Sequence, residues 1–306
     1  MKQAFSVLIP MFNKKYAFIA LLLIVSVFGI SSCNYFETDN PAAVYLTVDS
    51  VSFNQSLSPG LTDQRIEDIY VYADGKLLGG YQIPFTIPIT DLSKKRISLL
   101  AGVYADGIRD ARVQYPFFAT IDSTFNWEAG KQYRMRPVFN YVSFLSAPLK
   151  FSENFERSIS LLDTFESAGA NIRLKRHTNS TLPAGETSFL EVASDTNVAV
   201  LLQIASEGEL PAIDRSRPTY LEFQFQSNFD MIVGLLVKQP GSEQWIPSYN
   251  LFLRPAANWR KVYCTLDDEL AAAPAGSKYK IFFRSAHGGT DSTYYRLDNV
   301  RLMTYN

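Results

Sequence analysis

The chain has 306 residues, of which 47% are hydrophobic and 19% charged, so it can bury a large core and is not an intrinsically disordered polymer. Lys and Arg number 29 against 30 Asp and Glu, which leaves no global positive field and argues against nucleic acid as a partner. The 17 Tyr, 22 Phe and 15 Pro favour strands and turns over long helices.

The first residues have the pattern of a secretion signal. Lys14 and Lys15 precede an uncharged apolar stretch at 16–30. This stretch is shorter than the ~20 residues that cross a bilayer as a permanent helix, so it is more typical of a signal peptide than of a membrane anchor. Small residues follow it, as cleavage by a signal peptidase requires.

A cysteine comes directly after these small residues. The segment Ile-Ser-Ser-Cys at 30–33 resembles a bacterial lipobox, in which the cysteine thiol receives a diacylglycerol and the signal is cut before it. The resemblance implies a lipoprotein signal peptide at 1–32, then a tether over 33–41 that begins with Cys33 and its acyl chains, such as palmitate. Several acyl chains give stable attachment. We therefore predict an outer-membrane lipoprotein of a bacterial cell envelope, facing the surface or the periplasm; the alternative is an ordinary secretory signal with an incidental cysteine.

The other cysteine, Cys264, is predicted to be buried. Alternation along 261–266 places it on the apolar face of a strand, where a thiol acts as a small hydrophobic group. A nucleophilic role requires a neighbouring base, and the two histidines, His177 and His287, lie in polar, loop-like surroundings. The sequence therefore does not predict a cysteine enzyme.

Strand signals follow one another closely over 42–148. The pentapeptide Val-Tyr-Ala-Asp-Gly occurs at 71–75 and again at 103–107, and Asp-Gly supplies the positive φ angles that a tight turn needs. Pro84 and Pro88 remove two ladder donors, which is typical of an edge strand or of a segment that switches sheets. This spacing predicts an immunoglobulin-like β-sandwich. The predicted strands are 44–53, 66–73, 96–104, 112–118 and 132–139.

A second, longer β pattern occupies 149–306. It predicts a jelly roll of two packed antiparallel sheets, so that the whole fold is all-β. In the clearest strand, 219–226, apolar and polar residues alternate, which predicts that the face carrying Glu222 is solvated. Helical turns are predicted at 158–167 and 266–273. The other predicted strands are 172–176, 189–193, 198–205, 231–238, 245–253, 261–266, 279–285 and 294–302.

Three short segments of this second region resemble strands of jelly-roll carbohydrate-binding modules. They are Phe-Ser-Glu-Asn-Phe-Glu at 151–156, Asn-Trp-Arg-Lys-Val-Tyr at 258–263 and Tyr-Arg-Leu-Asp-Asn-Val-Arg-Leu at 295–302. In many such modules, acidic groups near the first and last strands hold a structural calcium, so the resemblance implies calcium ligands at Glu156 and Asp298. Calcium needs six or more oxygen ligands. The alternative is that these two carboxylates only form turns and hydrogen bonds.

The first region carries a resemblance of its own. Tyr-Pro-Phe-Phe at 115–118 follows the second Val-Tyr-Ala-Asp-Gly segment and is similar to the N-terminal domain of Bacteroides-type envelope lipoproteins. Together with the segments above, this resemblance covers most of the chain after Cys33. It implies a cell-envelope lipoprotein with an immunoglobulin-like domain followed by a jelly-roll domain.

Candidate ligand residues cluster in the second region. Sugar binding needs exposed aromatic rings that stack on pyranose faces, with amide, acid or guanidinium groups that bond the hydroxyls. Trp245 and Tyr249 share one face of a predicted strand, and Gln244, Asn250 and Arg254 are close in sequence. We predict these five as glycan-binding candidates. The alternative is that the rings fill the core, where a strand tryptophan is found more often.

The sequence contains no recognisable catalytic motif. It has no GxSxG, HExxH or CxxC pattern and no glycine run that would cradle a phosphate. We therefore predict that the protein is not an enzyme. The leading hypothesis is an envelope lipoprotein whose jelly roll binds a glycan. The alternative is a structural or adhesive surface protein that binds another protein through exposed strand edges.

Overall fold

The structure, a computed structural model, describes residues 42–54, 64–108, 110–142, 149–165, 172–178, 188–194, 200–287 and 292–305. Apart from one short helix, the regular secondary structure of these residues consists of β-strands, which confirms the predicted all-β class. The predicted signal peptide, Cys33 and the tether lie outside the described residues. No helix in the described ranges is long and apolar enough to cross a membrane.

The N-terminal region forms small sheets around one core. Its strands are β1 (Val44–Val48), β2 (Ser52–Phe53), β3 (Asp68–Ala73), β4 (Lys76–Gln82), β5 (Phe85–Ile89), β6 (Arg96–Tyr104), β7 (Arg112–Gln114), β8 (Ile121–Thr124), β9 (Gln132–Met135) and β10 (Val138–Phe139).

The order of these strands in the sheets is β5-β1-β9, β10-β2 and β4-β3-β6-β7, with β8 also paired to β6. Strand β1 pairs with β5 antiparallel and with β9 parallel. The immunoglobulin-like topology stays a prediction.

The predicted turns and the predicted edge strand are confirmed in this region. Asp74 and Gly75, which join β3 to β4, have φ angles of 46° and 81°. Asp106 and Gly107, which follow β6, have φ angles of 55° and 67°. Strand β5, which contains Pro88, lies at the edge of its sheet, where a missing backbone donor faces no partner strand.

The C-terminal region is a sandwich of two sheets. Its elements are β11 (Leu149–Glu153), β12 (Leu162–Thr164), β13 (Arg173–His177), β14 (Phe189–Ser194), β15 (Val200–Ser206), β16 (Thr219–Ser227), β17 (Met231–Lys238), β18 (Ile246–Leu253), β19 (Ala256–Thr265), α1 (Asp267–Ala272), β20 (Lys278–His287) and β21 (Thr293–Thr304). We call β12-β15-β20-β17-β18 the front sheet, and β13-β14-β21-β16-β19, with β11 beside β21, the back sheet.

The core of the sandwich lies between these two sheets. Phe223 from the back sheet and Phe283 from the front sheet meet there, with ring centroids 5.2 Å apart. Cys264 is fully buried in the same cluster, as predicted. The predicted helical turn at 266–273 is confirmed by α1. The one at 158–167 is wrong, because Leu162 enters the core from strand β12 instead.

The prediction of a solvated face on β16 is wrong. Glu222 is fully buried, and Gln224 is only 8% exposed. The N-terminal region packs on the outer face of the back sheet, so that Tyr220 and Tyr263 belong to the N-terminal hydrophobic core. Alternation along a strand distinguishes its two faces but does not reveal that a second region covers the polar one.

A buried ion pair lies at the junction of the two regions. The Lys261 ammonium is 2.7 Å from a Glu222 carboxylate oxygen, and both side chains are almost fully buried. The hydroxyls of Tyr115 and Tyr141, from the N-terminal region, donate to the same carboxylate. Burial alone would raise the pKa of Glu222, but Lys261 and the two hydroxyls together hold it below its ordinary value.

The second Asp-Gly turn also joins the regions. Ala105 forms a parallel β-bridge with Tyr263 of edge strand β19, and the Asp106 amide donates to the Tyr263 carbonyl at 2.8 Å. The Asp106 carboxylate in turn accepts the Thr265 amide at 2.9 Å. This loop therefore occupies backbone groups that an edge strand would otherwise leave unpaired.

Candidate functional site

The outer face of the front sheet, which points away from the core, carries an apolar layer. Ala205, Leu236 and Phe282 are buried there, with Phe165, Ile232 and Trp245 packed against them. A sheet with one face on the core normally presents polar residues on the other face. The layer is therefore not explained by the sandwich core, and this face is the candidate site.

Trp245 covers one end of this layer. It comes directly before β18 and is half-buried. The Lys238 and Lys280 ammonium groups lie 5.3 and 5.2 Å from the centroid of its ring, within the range of cation–π contacts. The indole thus lies on the outer face, not in the core between the sheets.

Tyr249 presents the more accessible ring on the same face. It is 44% exposed, and its ring centroid is 5.8 Å from that of Phe282. Arg284 donates to its hydroxyl at 2.6 Å, and the guanidinium carbon lies 5.7 Å from the centroid of the ring. Tyr249 lies opposite Gly234 of β17, where a Cβ would come within 2.1 Å of the Ser248 carbonyl oxygen. Only glycine allows β18 to approach this closely.

Phe252 was not among the predicted candidates, yet it is 69% exposed. In a regular strand, residues three apart point to opposite faces, so Phe252 would not join Tyr249. The pairing shifts register between Val233 and Gly234, and Asn250 is the extra residue of this bulge. Phe252 consequently lies opposite Ile232 on the outer face, and it also borders a cleft of about 450 Å³ beside β19.

The three polar candidates do not converge on these rings. The Asn250 amide donates to the Thr265 carbonyl at 2.6 Å and to Glu269 at 2.5 Å, so it faces β19 and α1. Arg254 pairs with Asp230 at 3.2 Å beyond the end of β18. Gln244 is exposed in the turn before Trp245. Lys280 and Arg284 of β20, which were not predicted, supply the polar groups of the face.

Cys264 lies on the core side of this region. Burial raises the pKa of its thiol well above the ordinary value, and the nearby Asp106 and Glu269 carboxylates add to the effect. A thiol that resists ionisation is a poor nucleophile. These contacts agree with a packing role for Cys264.

The carboxylates of the two calcium candidates accept hydrogen bonds from other groups of the protein. The Glu156 carboxylate accepts the Ser188 amide at 3.0 Å and its hydroxyl at 3.2 Å. Asp298 is 1% exposed and accepts the Asn299 amide at 2.7 Å. No group of three or more His, Cys, Asp or Glu side chains in the described part of the chain is placed to hold a metal ion. Calcium at Glu156 and Asp298 stays a prediction.

Comparisons with known proteins give structural similarity without a family. No family model and no curated protein matches the chain. A family 11 carbohydrate-binding module of Clostridium thermocellum is 15% identical over 50% of this chain and 93% of its own, with a TM-score of 0.37. A carbohydrate-binding module from a study of the β-sandwich superfamily is 12% identical over 87% and 99%, with a TM-score of 0.43. The CBM22-1 and GH10 modules of a Clostridium thermocellum xylanase are 11% identical over 52% and 28%, with a TM-score of 0.39. Because all three TM-scores lie below 0.5, these similarities do not establish a family or a ligand.

Proposed function

We propose that the protein is a non-catalytic, glycan-binding protein and that the outer face of the front sheet is its binding site. The observation that carries the proposal is the exposed Tyr249 ring, held by Arg284 beside Trp245 and Phe252. Sugar rings present apolar C–H faces that stack on aromatic rings, and their hydroxyls bond to cationic donors at the rim. Both kinds of group lie together on this face.

The competing hypothesis is a structural or adhesive protein that binds another protein through its strand edges. It expects the aromatic residues of β18 to be buried. The exposures of Tyr249 and Phe252, 44% and 69%, favour the glycan instead. The edge strand β19 is in addition already bridged by the loop at Asp106.

A glycan array probed with the chain after residue 32, with and without calcium, tests the proposal. We expect Tyr249→Ala to weaken binding of the best glycan by about fivefold, which corresponds to one lost ring stack of about 1 kcal/mol. The Tm should fall less than on removal of a core ring, because 44% of Tyr249 is exposed. Tyr45→Ala is the matched control, since Tyr45 is 47% exposed on a strand of the N-terminal region.

Two outcomes would contradict the proposal. In one, no glycan on the array binds. In the other, Tyr249→Ala and Tyr45→Ala behave alike, so that the bound sugar does not contact the front sheet. Retention of a protein partner by the Tyr249→Ala variant would then support the competing hypothesis.

We also propose that Cys33 carries the lipid that anchors the protein to the bacterial envelope, on the support of the sequence pattern at 30–33. Cys33→Ser is expected to abolish incorporation of radiolabelled palmitate and to leave an unprocessed precursor. Cys264→Ala is the matched control. Cys264 is fully buried, so we expect this variant to incorporate palmitate as the wild type does. A labelled Cys33→Ser protein that partitions into detergent would show that the anchor lies elsewhere.

A further inference from the structure

The charge of the proposed binding face indicates which class of glycan it accepts. Lys280 and Arg284 lie on the same face of β20, on either side of Phe282. Their strand partners in β17 are Leu236 and Ile232, which belong to the outer apolar layer. Both cations are half-buried, so they are partly withdrawn from water beside aromatic rings.

Neither cation meets a carboxylate among the described residues. The Lys280 ammonium donates to the Glu207 backbone carbonyl at 2.9 Å, and the Arg284 guanidinium donates to the Tyr249 hydroxyl. Neutral oxygens satisfy part of their hydrogen-bonding capacity but none of their charge.

Neighbouring lysines at one end of the same face lie beside carboxylates, and Lys238 is in addition 3.8 Å from Glu243. Lys278 lies 2.7 Å from a Glu209 carboxylate oxygen, and Lys238 lies 3.2 Å from the other oxygen of the same residue. Among the described residues, Glu209 thus lies beside Lys238 and Lys278, whereas no carboxylate pairs with Lys280 or Arg284. Cation–π contacts with Trp245 and Tyr249 offset part of the cost of withdrawing Lys280 and Arg284 from water, and an anionic ligand would supply the counter-charge that these rings lack.

We propose that the bound glycan is acidic and that its uronic acid carboxylates pair with Lys280 and Arg284. This inference rests on the proposed glycan-binding function. A guanidinium presents a planar fork of donors that matches a carboxylate. The two cations are four residues apart on one strand, or ~13 Å, so an oligosaccharide and not a single sugar contacts both. The exposed ring of Tyr249 then stacks on a sugar face.

The test compares oligouronates with their methyl esters, which have the same rings but no charge. Galacturonate, glucuronate and mannuronate oligomers are titrated into the chain after residue 32 by calorimetry. We expect at least one free acid to bind about tenfold more tightly than its ester, as loss of a charge-assisted contact predicts. Its affinity should also fall as NaCl rises from about 0.05 to about 0.5 M, because salt screens the attraction.

Variants assign the preference to the two cations. Lys280→Gln and Arg284→Gln should each lower the ratio of acid to ester affinity about tenfold, because each variant weakens binding of the acid more than binding of the ester. Arg284→Lys should retain the preference for acid, because it keeps the charge. Lys278→Gln is the matched control on the same strand, since Lys278 is already paired with Glu209.

The outcomes separate this inference from the proposed function. If an ester or another neutral glycan binds as tightly as the acids, and Tyr249→Ala weakens that binding, the acidic class is wrong while the binding face stands. An acid preference that survives both glutamine variants also overturns the inference. If neither acidic nor neutral glycans bind, the proposed function and the inference fail together.

Discussion

Replacing Glu222 with Gln is expected to lower the free energy of unfolding by about 3–5 kcal/mol, a loss of roughly a hundredfold or more in the folding equilibrium. The substitution keeps the shape of the side chain but removes the negative charge that lies 2.7 Å from the buried Lys261 ammonium. It also weakens the bonds from Tyr115 and Tyr141, because a neutral amide is a poorer acceptor than a carboxylate. Urea unfolding followed by tryptophan fluorescence measures the change.

Two further variants separate a buried ion pair from a surface one. Adding Lys261→Met to Glu222→Gln should restore much of the loss, because the buried positive charge of Lys261 is then removed as well. Asp122→Asn, which breaks the exposed pair with Arg96, should change the free energy of unfolding by less than ~1 kcal/mol. A loss below that size for Glu222→Gln would mean that the pair at the junction does not stabilise the fold.

The pKa of Glu222 also predicts how the free energy of unfolding varies with pH. The pKa of Glu222 is lower in the folded chain than its ordinary value of 4.5. A group with a depressed folded pKa stabilises the fold above its unfolded pKa, and this stabilisation is lost as the pH falls through the folded value. The wild-type chain should therefore lose stability below about pH 4.5 more steeply than Glu222→Gln does.

Gly234→Ala is expected to lower the free energy of unfolding by about 1–3 kcal/mol and also to abolish most glycan binding, although Gly234 does not face the ligand with a side chain. The new Cβ would come within 2.1 Å of the Ser248 carbonyl oxygen, so β18 must move away from β17. That movement displaces Tyr249 from Arg284. Calorimetric Tm and glycan affinity are measured together.

Gly208→Ala is the matched control for this prediction. A Cβ at Gly208 would meet no atom within 4 Å, and its φ lies outside the positive range, so stability and binding should stay close to wild type. A Gly234→Ala variant with wild-type Tm and affinity would show that the close approach of β17 and β18 is not needed to position Tyr249.

Local pattern was sufficient for much of the fold. Strands β6 and β17 were predicted to the residue, because each is a run of apolar residues with a clear polar or turn boundary. The prediction that one face of β16 is solvated was wrong because Tyr115 and Tyr141 cover Glu222 on that face. These two residues are 107 and 81 positions away from Glu222 in sequence. No periodicity within a strand reports such a distant contact.

The sequence predicted only those residues of the candidate site that lie close together along one segment of the chain. Trp245 and Tyr249 have the even spacing that brings two residues to one face. Phe252 has odd spacing, and only the bulge at Asn250 places it beside them. Lys280 and Arg284 come from β20, and their position depends on the order of strands in the front sheet. That order is a property of long-range pairing, which the sequence of one segment does not contain.

The shared junction limits how the protein can be dissected or reused. A C-terminal sandwich cut out alone would present Tyr220, Tyr263 and Met303 to water, because these side chains complete the N-terminal core. It would also lose two of the donors to Glu222. Grafting this sandwich alone onto another scaffold would therefore expose an apolar surface on its back sheet that favours aggregation. The binding face should be transplanted together with the N-terminal region that covers the back sheet.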